Sequence, residues 1–222
     1  MATALKEERE VIRAEFAAGN GRLLGDDADI LAWQYPNPTR YVVREIDFQI
    51  DGNGFLQFFF RNPELAKQLQ PGETIDDVVA DLLNPNAKIM QFFGATIPAP
   101  GPRTPLDINL QTSSAYIIYR LAPDRNMLFA PRMAGVTHKK IIDQPYCGDL
   151  LHVNQSGPSQ IGLDDSRLVY FKARPGADPN DYAHGLNLKV RLLQAPHYGS
   201  AWPSVLDLGM DPDIRNPGGS PT

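Results

Sequence analysis

Cysteine is all but missing from this chain of 222 residues, where Cys147 stands alone. One cysteine excludes an intrachain disulfide and any zinc or iron–sulfur site built on several thiolates. A single free thiol also suits a reducing compartment. Histidine is scarce: His138, His152, His184 and His197 are scattered, with no i, i+4 pair of the kind found on metal-binding helices. Concentrated positive charge is missing as well. There are 21 Lys+Arg against 26 Asp+Glu, a net charge of −5, and the longest basic run is Lys139-Lys140. Nucleic acid is therefore not an expected partner, because phosphate-backbone binding needs a basic patch. No apolar run approaches the ~18 residues of a membrane span. The first ten residues, MATALKEERE, are charged where a signal peptide is apolar. A cytoplasmic protein with no membrane partner and no cofactor is expected.

Phosphate-binding loops are missing too. The chain has neither a strand–GxGxxG–helix unit nor a Gly-x4-Gly-Lys-Ser/Thr loop. Asp51-Gly52-Asn53-Gly54 opens like a calcium loop, but Phe55 and Asn62 stand where oxygen ligands are required, so a hairpin turn is the better reading.

Turn residues are what the chain has in excess, with 18 Gly and 20 Pro beside 42% apolar residues. That composition excludes a helical bundle and still leaves enough apolar side chains for a core. Residues 3–18 carry Leu5, Ile12 and Phe16 near one face, with Gly19 as a C-terminal cap, and predict a helical arm. Tyr41–Ile50 and Phe55–Phe60 predict a hairpin, with Ile46, Phe48 and Ile50 on one face of the first strand and Glu45, Asp47 and Gln49 on the other. The second strand is apolar on both faces, which predicts a place inside a doubly covered sheet.

Two short helices are expected next, one over 64–70 and one over 75–83. The second is capped by Thr74 with Asp77 three residues on. Four prolines between Pro98 and Pro105 predict a stiff extended connection. Beyond it, strands are predicted at 107–112, 114–121, 126–131, 138–143, 149–153, 167–173, 185–194 and 204–208. In the 185–194 strand Leu186, Leu188, Val190 and Leu192 alternate with Asn187, Lys189 and Arg191, the pattern of one buried and one wet face. The tail from Asp211 to Pro221 is too rich in Pro and Gly for regular structure.

Candidate chemistry is thin. Cys147 lies near His138 and His152 in sequence, but Tyr146-Cys147-Gly148 matches no nucleophile motif, and cysteine is commonly a buried small hydrophobe. The Asp26/Asp27/Asp29, Asp164/Asp165 and Asp211/Asp213 groups read as turn residues. Trp33, Tyr35 and Trp202 sit in loop-like segments, where aromatic rings plug a core end, form a protein interface or stack on a ligand.

The last strand and tail carry a resemblance. His184-Gly185-Leu186-Asn187-Leu188-Lys189-Val190-Arg191-Leu192-Leu193-Gln194, followed by Asp211-Pro212-Asp213-Ile214-Arg215-Asn216-Pro217-Gly218-Gly219, resembles the end of a family of small bacterial proteins labelled nucleotide synthetases. These in turn broadly resemble the bacterial inclusion-body protein family of self-associating all-β sandwiches. The resemblance implies a bacterial, cytoplasmic β-sandwich. It carries over no active-site residue, and no catalytic motif in this chain speaks for nucleotide synthesis.

The expectation is therefore a mainly β protein. An antiparallel β-sandwich over 25–210 would carry a helical insertion near 62–84, preceded by a helical arm at 1–24 and followed by an extended tail at 211–222. The expected function is non-enzymatic, a self-associating or protein-binding homo-oligomer with Leu5, Ile12, Phe16 and Ile214 at its contacts. A small-molecule or carbohydrate-binding module using Trp33, Tyr35 and Trp202 is the alternative. An enzyme built on Cys147 or a histidine-bound metal comes third, with no catalytic or metal-binding residue assigned.

Overall fold

The computed structural model describes residues 28–30, 32–50, 56–61, 66–84, 108–110, 113–131, 134–138, 147–154, 156–159, 165–175, 183–193, 205–210 and 213–215. In chain order the strands are β1 (Ala28–Asp29), β2 (Arg40–Ile50), β3 (Leu56–Phe60), β4 (Ala66–Gln68), β5 (Ile108–Asn109), β6 (Ala115–Leu121), β7 (Met127–Phe129), β8 (Val136–His138), β9 (Cys147–Asn154), β10 (Gly157–Ser159), β11 (Leu168–Ala173), β12 (Ala183–Leu193), β13 (Val205–Met210) and β14 (Asp213–Arg215). The helix α1 (Ile75–Leu82) lies between β4 and β5. The predicted helical arm with Leu5, Ile12 and Phe16, the Pro98–Pro105 connection, His197 and Trp202 fall outside the described residues.

The strands form two seven-stranded sheets, which is the mainly β architecture expected from the sequence. One runs β10-β9-β11-β6-β2-β3, with β4 also on β2. The other is built on β12, which pairs with β13 and β14 on one edge and with β7 and β8 on the other. The hydrophobic core fills the space between the sheets. Val42, Ile46, Ile117, Tyr119 and Phe171 come from the first sheet, and Phe129, Val136, Leu186, Leu188 and Val190 from the second. Burying an aliphatic or aromatic side chain of this size stabilises the fold by about 1.5–3 kcal/mol, so this layer carries most of the stability.

Two pairings are not antiparallel. Residues 41–46 of β2 run parallel to 116–121 of β6, and β14 runs parallel to β5. A parallel pair needs a long crossover, and the chain between β2 and β6 supplies it. α1 belongs to that crossover and packs Val78, Val79 and Leu82 onto Tyr41, Val43, Ile118, Leu168 and Tyr170 on the outer face of the first sheet. Thr74 caps α1 in a capping box with Asp77, as its sequence predicts. Because α1 covers that face, β6 is buried at every position from Ala115 to Leu121.

Four expectations are corrected. The doubly covered strand is β6, whereas β3 lies at the sheet edge with Phe58 and Phe59 half-buried. The segment expected as a helix over 64–70 contains β4, paired to Arg40–Val42. A helix that short is marginal in water, and the free edge of β2 offers its backbone better partners. Lys189, expected in water, is only 5% exposed because β7, β8 and β13 enclose β12. Asp213–Arg215, expected as irregular tail, continues β13 in the same register along β12. Ile214 stands opposite His184 and Ile108 of its own chain.

Candidate functional site

The polar row of β2 opposite Ile46 and Phe48 is not a solvent face. Glu45 is 7% and Asp47 3% exposed, and burial of carboxylates at that level requires paired cations. The arginines come from three places in the chain. Arg120, next to the end of β6, puts Nη1 at 3.0 Å from Glu45 Oε2. Arg61, just past β3, contacts Glu45 Oε1 at 3.5 Å and Asp47 Oδ2 at 2.7 Å. Arg61 also grips Asp124 in the β6–β7 turn, with Nη1 and Nη2 at 2.7 and 2.8 Å from the two carboxylate oxygens. Arg125 donates its Nε–H to Asp47 Oδ1 at 2.8 Å.

Protonation follows from these contacts. Burial pushes the Glu45 carboxyl up, with Arg120 and Arg61 only partly opposing it. Burial likewise lowers Arg120, against the pull of Glu45 and Asp81. Asp47 is also penalised by burial, but hydrogen bonds from Arg125, the Phe48 amide and Arg61 outweigh that and hold it below the ordinary carboxylate range. Asp124 is held low by its hydrogen bond to Arg61.

Beside this network lies a cleft of about 230 Å3, lined by Leu82, Leu83, Arg120, Leu121, Pro123, Arg167 and Leu168. One wall is the C-terminal end of α1, where the Leu83 and Asn84 amides close on the Val79 and Asp81 carbonyls and the helix end carries partial negative charge. α1 has no basic residue in its last turn. Arg120 supplies the cation from the sheet, donating from Nη2 to the Asn84 carbonyl at 3.0 Å. Arg167, just ahead of β11, donates from Nη1 to the carbonyls of Pro123 and Arg125 at 3.2 and 3.1 Å.

Those two bonds use both Nη1 hydrogens, so three of the five guanidinium N–H donors, on Nε and Nη2, have no acceptor among the described residues. Arg167 is thus an arginine fixed in place at a cleft wall with carbonyl partners and no described carboxylate. The cleft can hold an oxyanion by that guanidinium edge and an apolar moiety against its leucines and proline. None of the described lining residues carries a nucleophilic or acidic side chain.

The residues singled out in the sequence lie elsewhere. Trp33 and Tyr35 do meet, edge to face at 5.2 Å, and the Arg174 guanidinium sits 4.0 Å over the Tyr35 ring. Their segment is anchored by the Trp33 amide on Asp149 Oδ1 at 2.8 Å, and the indole N–H is taken by the Pro36 carbonyl at 3.1 Å. Gly148 permits this approach, since a Cβ there would stand 2.8 Å from Trp33 Cα. Arg174 follows the six residues of β11 and Arg167 precedes them, so the aromatic pair and the cleft lie at opposite ends of a strand about 20 Å long.

Cys147 is buried between the sheets, and burial pushes its thiol far up, which removes it as a nucleophile. His152 is buried with Nε2 accepting from the Gly135 amide at 2.8 Å, and His138 is 5% exposed. Among the described residues no three His, Cys, Asp or Glu side chains are grouped to hold a metal ion, and no helix is long and apolar enough to cross a membrane.

No basic run marks these arginines in the sequence, because Arg61, Arg120, Arg125 and Arg167 are spread through the chain. A signal was present in Ala115-Tyr116-Ile117-Ile118-Tyr119-Arg120-Leu121, where one charge interrupts an otherwise apolar strand.

The fold and cleft define a two-sheet β protein with an arginine-lined cleft on the helix-covered face. The chain belongs to the family described as predicted novel nucleotide synthetase, whose model matches residues 63–219. No curated protein and no solved structure matches the chain significantly. This membership overturns the expectation of a non-enzymatic self-associating or protein-binding protein, because the family is named for a synthetic reaction. The resemblance seen at the C-terminal strand extends over most of the chain, whereas the likeness to inclusion-body proteins finds no counterpart in the match.

Proposed function

We propose that this chain is an enzyme of nucleotide synthesis, and that the cleft between the end of α1 and strands β6 and β11 holds its nucleotide. The family match carries the reading: all seven residues lining the cleft fall within the matched span of 63–219. The chemistry of the lining agrees with it. A nucleotide brings phosphate oxygens together with a less polar sugar and base, and the cleft offers a fixed guanidinium edge beside leucine and proline side chains. When a bond to phosphorus breaks, negative charge gathers on the phosphoryl and leaving oxygens. A guanidinium held in position by Pro123 and Arg125 stabilises that charge without having to reorganise. Arg120 acts behind it as a positioning residue, tying Glu45 of β2 to the end of α1. A cytoplasmic setting, where nucleotides are plentiful, suits this role.

The test is a turnover assay with the four nucleoside triphosphates and magnesium, products being followed by phosphorus NMR and mass spectrometry. Wild type is expected to convert at least one of them. Arg167→Gln is expected to lower the rate by about 10²–10³-fold, as loss of one preorganised oxyanion donor does. A wild-type protein inert towards all four, or an Arg167→Gln protein as active as wild type, would overturn the proposal.

A further inference from the structure

Which part of the nucleotide the cleft grips follows from how its cations are committed. Arg120 is 4% exposed, with Nη1 on Glu45 and Nη2 on the Asn84 carbonyl. Drawing it towards a ligand would strand a buried carboxylate and uncap the end of α1. Arg61 and Arg125 are held by Asp47 and Asp124, and neither lines the cleft. Among the described residues this leaves Arg167 as the cleft cation with donors still to offer.

A single guanidinium edge matches two oxygens of one phosphate. A triphosphate carries three or four negative charges, and sites that hold the whole chain gather several cations around it. Size points the same way. At about 230 Å3 the cleft falls below the ~300 Å3 at which small-molecule pockets commonly begin. Its remaining described walls, Leu82, Leu83, Leu121, Pro123 and Leu168, suit a sugar rather than further phosphates.

Building on the nucleotide reading above, we propose that the cleft recognises its nucleotide through one phosphate, the one attached to the sugar. Any further phosphates extend outside it and add little affinity.

Isothermal titration calorimetry of the full chain with adenosine, AMP, ADP and ATP, and with the corresponding guanosine, cytidine and uridine series, tests this. For the base that binds, the monophosphate is expected to bind at least about tenfold tighter than the nucleoside, with the di- and triphosphate within about threefold of the monophosphate. Arg167→Gln should bring the monophosphate down to the nucleoside level, with Arg167→Lys in between. Because Arg167 also clasps the β6–β7 turn, Leu83→Glu provides a second variant that keeps the arginine. It sets a carboxylate at the cleft wall and should weaken the monophosphate about tenfold or more in a protein whose far-UV circular dichroism at the titration temperature matches wild type. A triphosphate bound tenfold tighter than the monophosphate, with both lost in Arg167→Gln, would sink the single-phosphate inference and leave the nucleotide reading standing. Failure of every nucleotide to bind wild type would remove both. A monophosphate bound equally well by wild type, Arg167→Gln and Leu83→Glu would overturn the inference by placing the site elsewhere.

Discussion

Replacing Arg120 by methionine keeps most of the side-chain volume and removes the charge that faces Glu45 at 3.0 Å, in a pair whose side chains are 4% and 9% exposed. Breaking a buried ion pair by deleting one partner costs about 3–5 kcal/mol. Here the cost has a ceiling, because Glu45 can take up a proton. From its ordinary value of 4.5, protonating it at pH 7 costs about 3.4 kcal/mol, and at pH 5.5 only about 1.4 kcal/mol. The lost hydrogen bond to the Asn84 carbonyl adds about 1–2 kcal/mol at either pH.

Because burial already holds Glu45 above 4.5 in the wild type, these are upper limits: Arg120→Met should destabilise by up to about 5 kcal/mol at pH 7 and up to about 3 kcal/mol at pH 5.5. At ~2–4 °C per kcal/mol for a chain of this size, the melting temperature at pH 7 should fall by up to about 20 °C. The sign is set by Glu45: in the variant its folded-state pKa lies still further above the unfolded value. The folded protein then binds more protons between the two, and stability falls as pH rises through that window. Urea titrations followed by far-UV circular dichroism at the two pH values measure the effect. Adding Glu45→Gln to Arg120→Met should recover most of the pH 7 loss. A loss below about 1 kcal/mol, or one of equal size at both pH values, would refute the assignment of Glu45 and Arg120 as a buried charged pair.

His138 supplies a second pH dependence of opposite direction. Burial lowers its pKa, with a hydrogen bond at the Cys147 backbone opposing only in part. The unfolded chain therefore binds a proton near pH 6.5 before the folded protein does. Stability is complete above that value and declines as pH falls through the window beneath it, by up to about 1.4 kcal/mol per pH unit. His138→Gln should flatten the decline between pH 6.5 and 5, and an unchanged slope would count against it. Cys147 should react with a thiol-specific disulfide reagent only as fast as the protein unfolds, and urea should accelerate it. Rapid stoichiometric labelling of the folded protein would contradict its burial.

Much of the fold was legible because strands announce themselves by alternation and turns by Gly and Pro. The sequence of β12 placed Leu186, Leu188, Val190 and Leu192 inwards, and all four are buried. Thr74 and Asp77 announced the start of α1 correctly. The errors share one cause. The segment at 66–68, the tail at 213–215 and the solvent exposure of Lys189 were each judged from local pattern, and each was decided by a strand from elsewhere in the chain.

The candidate cleft was legible only in fragments. Arg120 in an apolar strand and the acids of β2 could be read, but nothing in their spacing said that they meet. The family resemblance was visible at the C-terminal end, yet the terminal arm and tail and the lack of a catalytic motif pointed away from the enzyme that the family name implies.

By itself, the sequence determined the mainly β class, the inward faces of the long strands and the cap of α1. Each of these rests on residues within one turn or one pleat of each other. Tertiary structure alone decided that β2 runs parallel beside β6 and that α1 lies across them. It also decided that Arg61, Arg120 and Arg125 converge on the buried acids of β2, with Arg167 fixed at the cleft beside them. Charges so far apart in the chain meet only when strand pairing brings them together, and pairing is chosen by the burial and hydrogen bonding of the whole sheet.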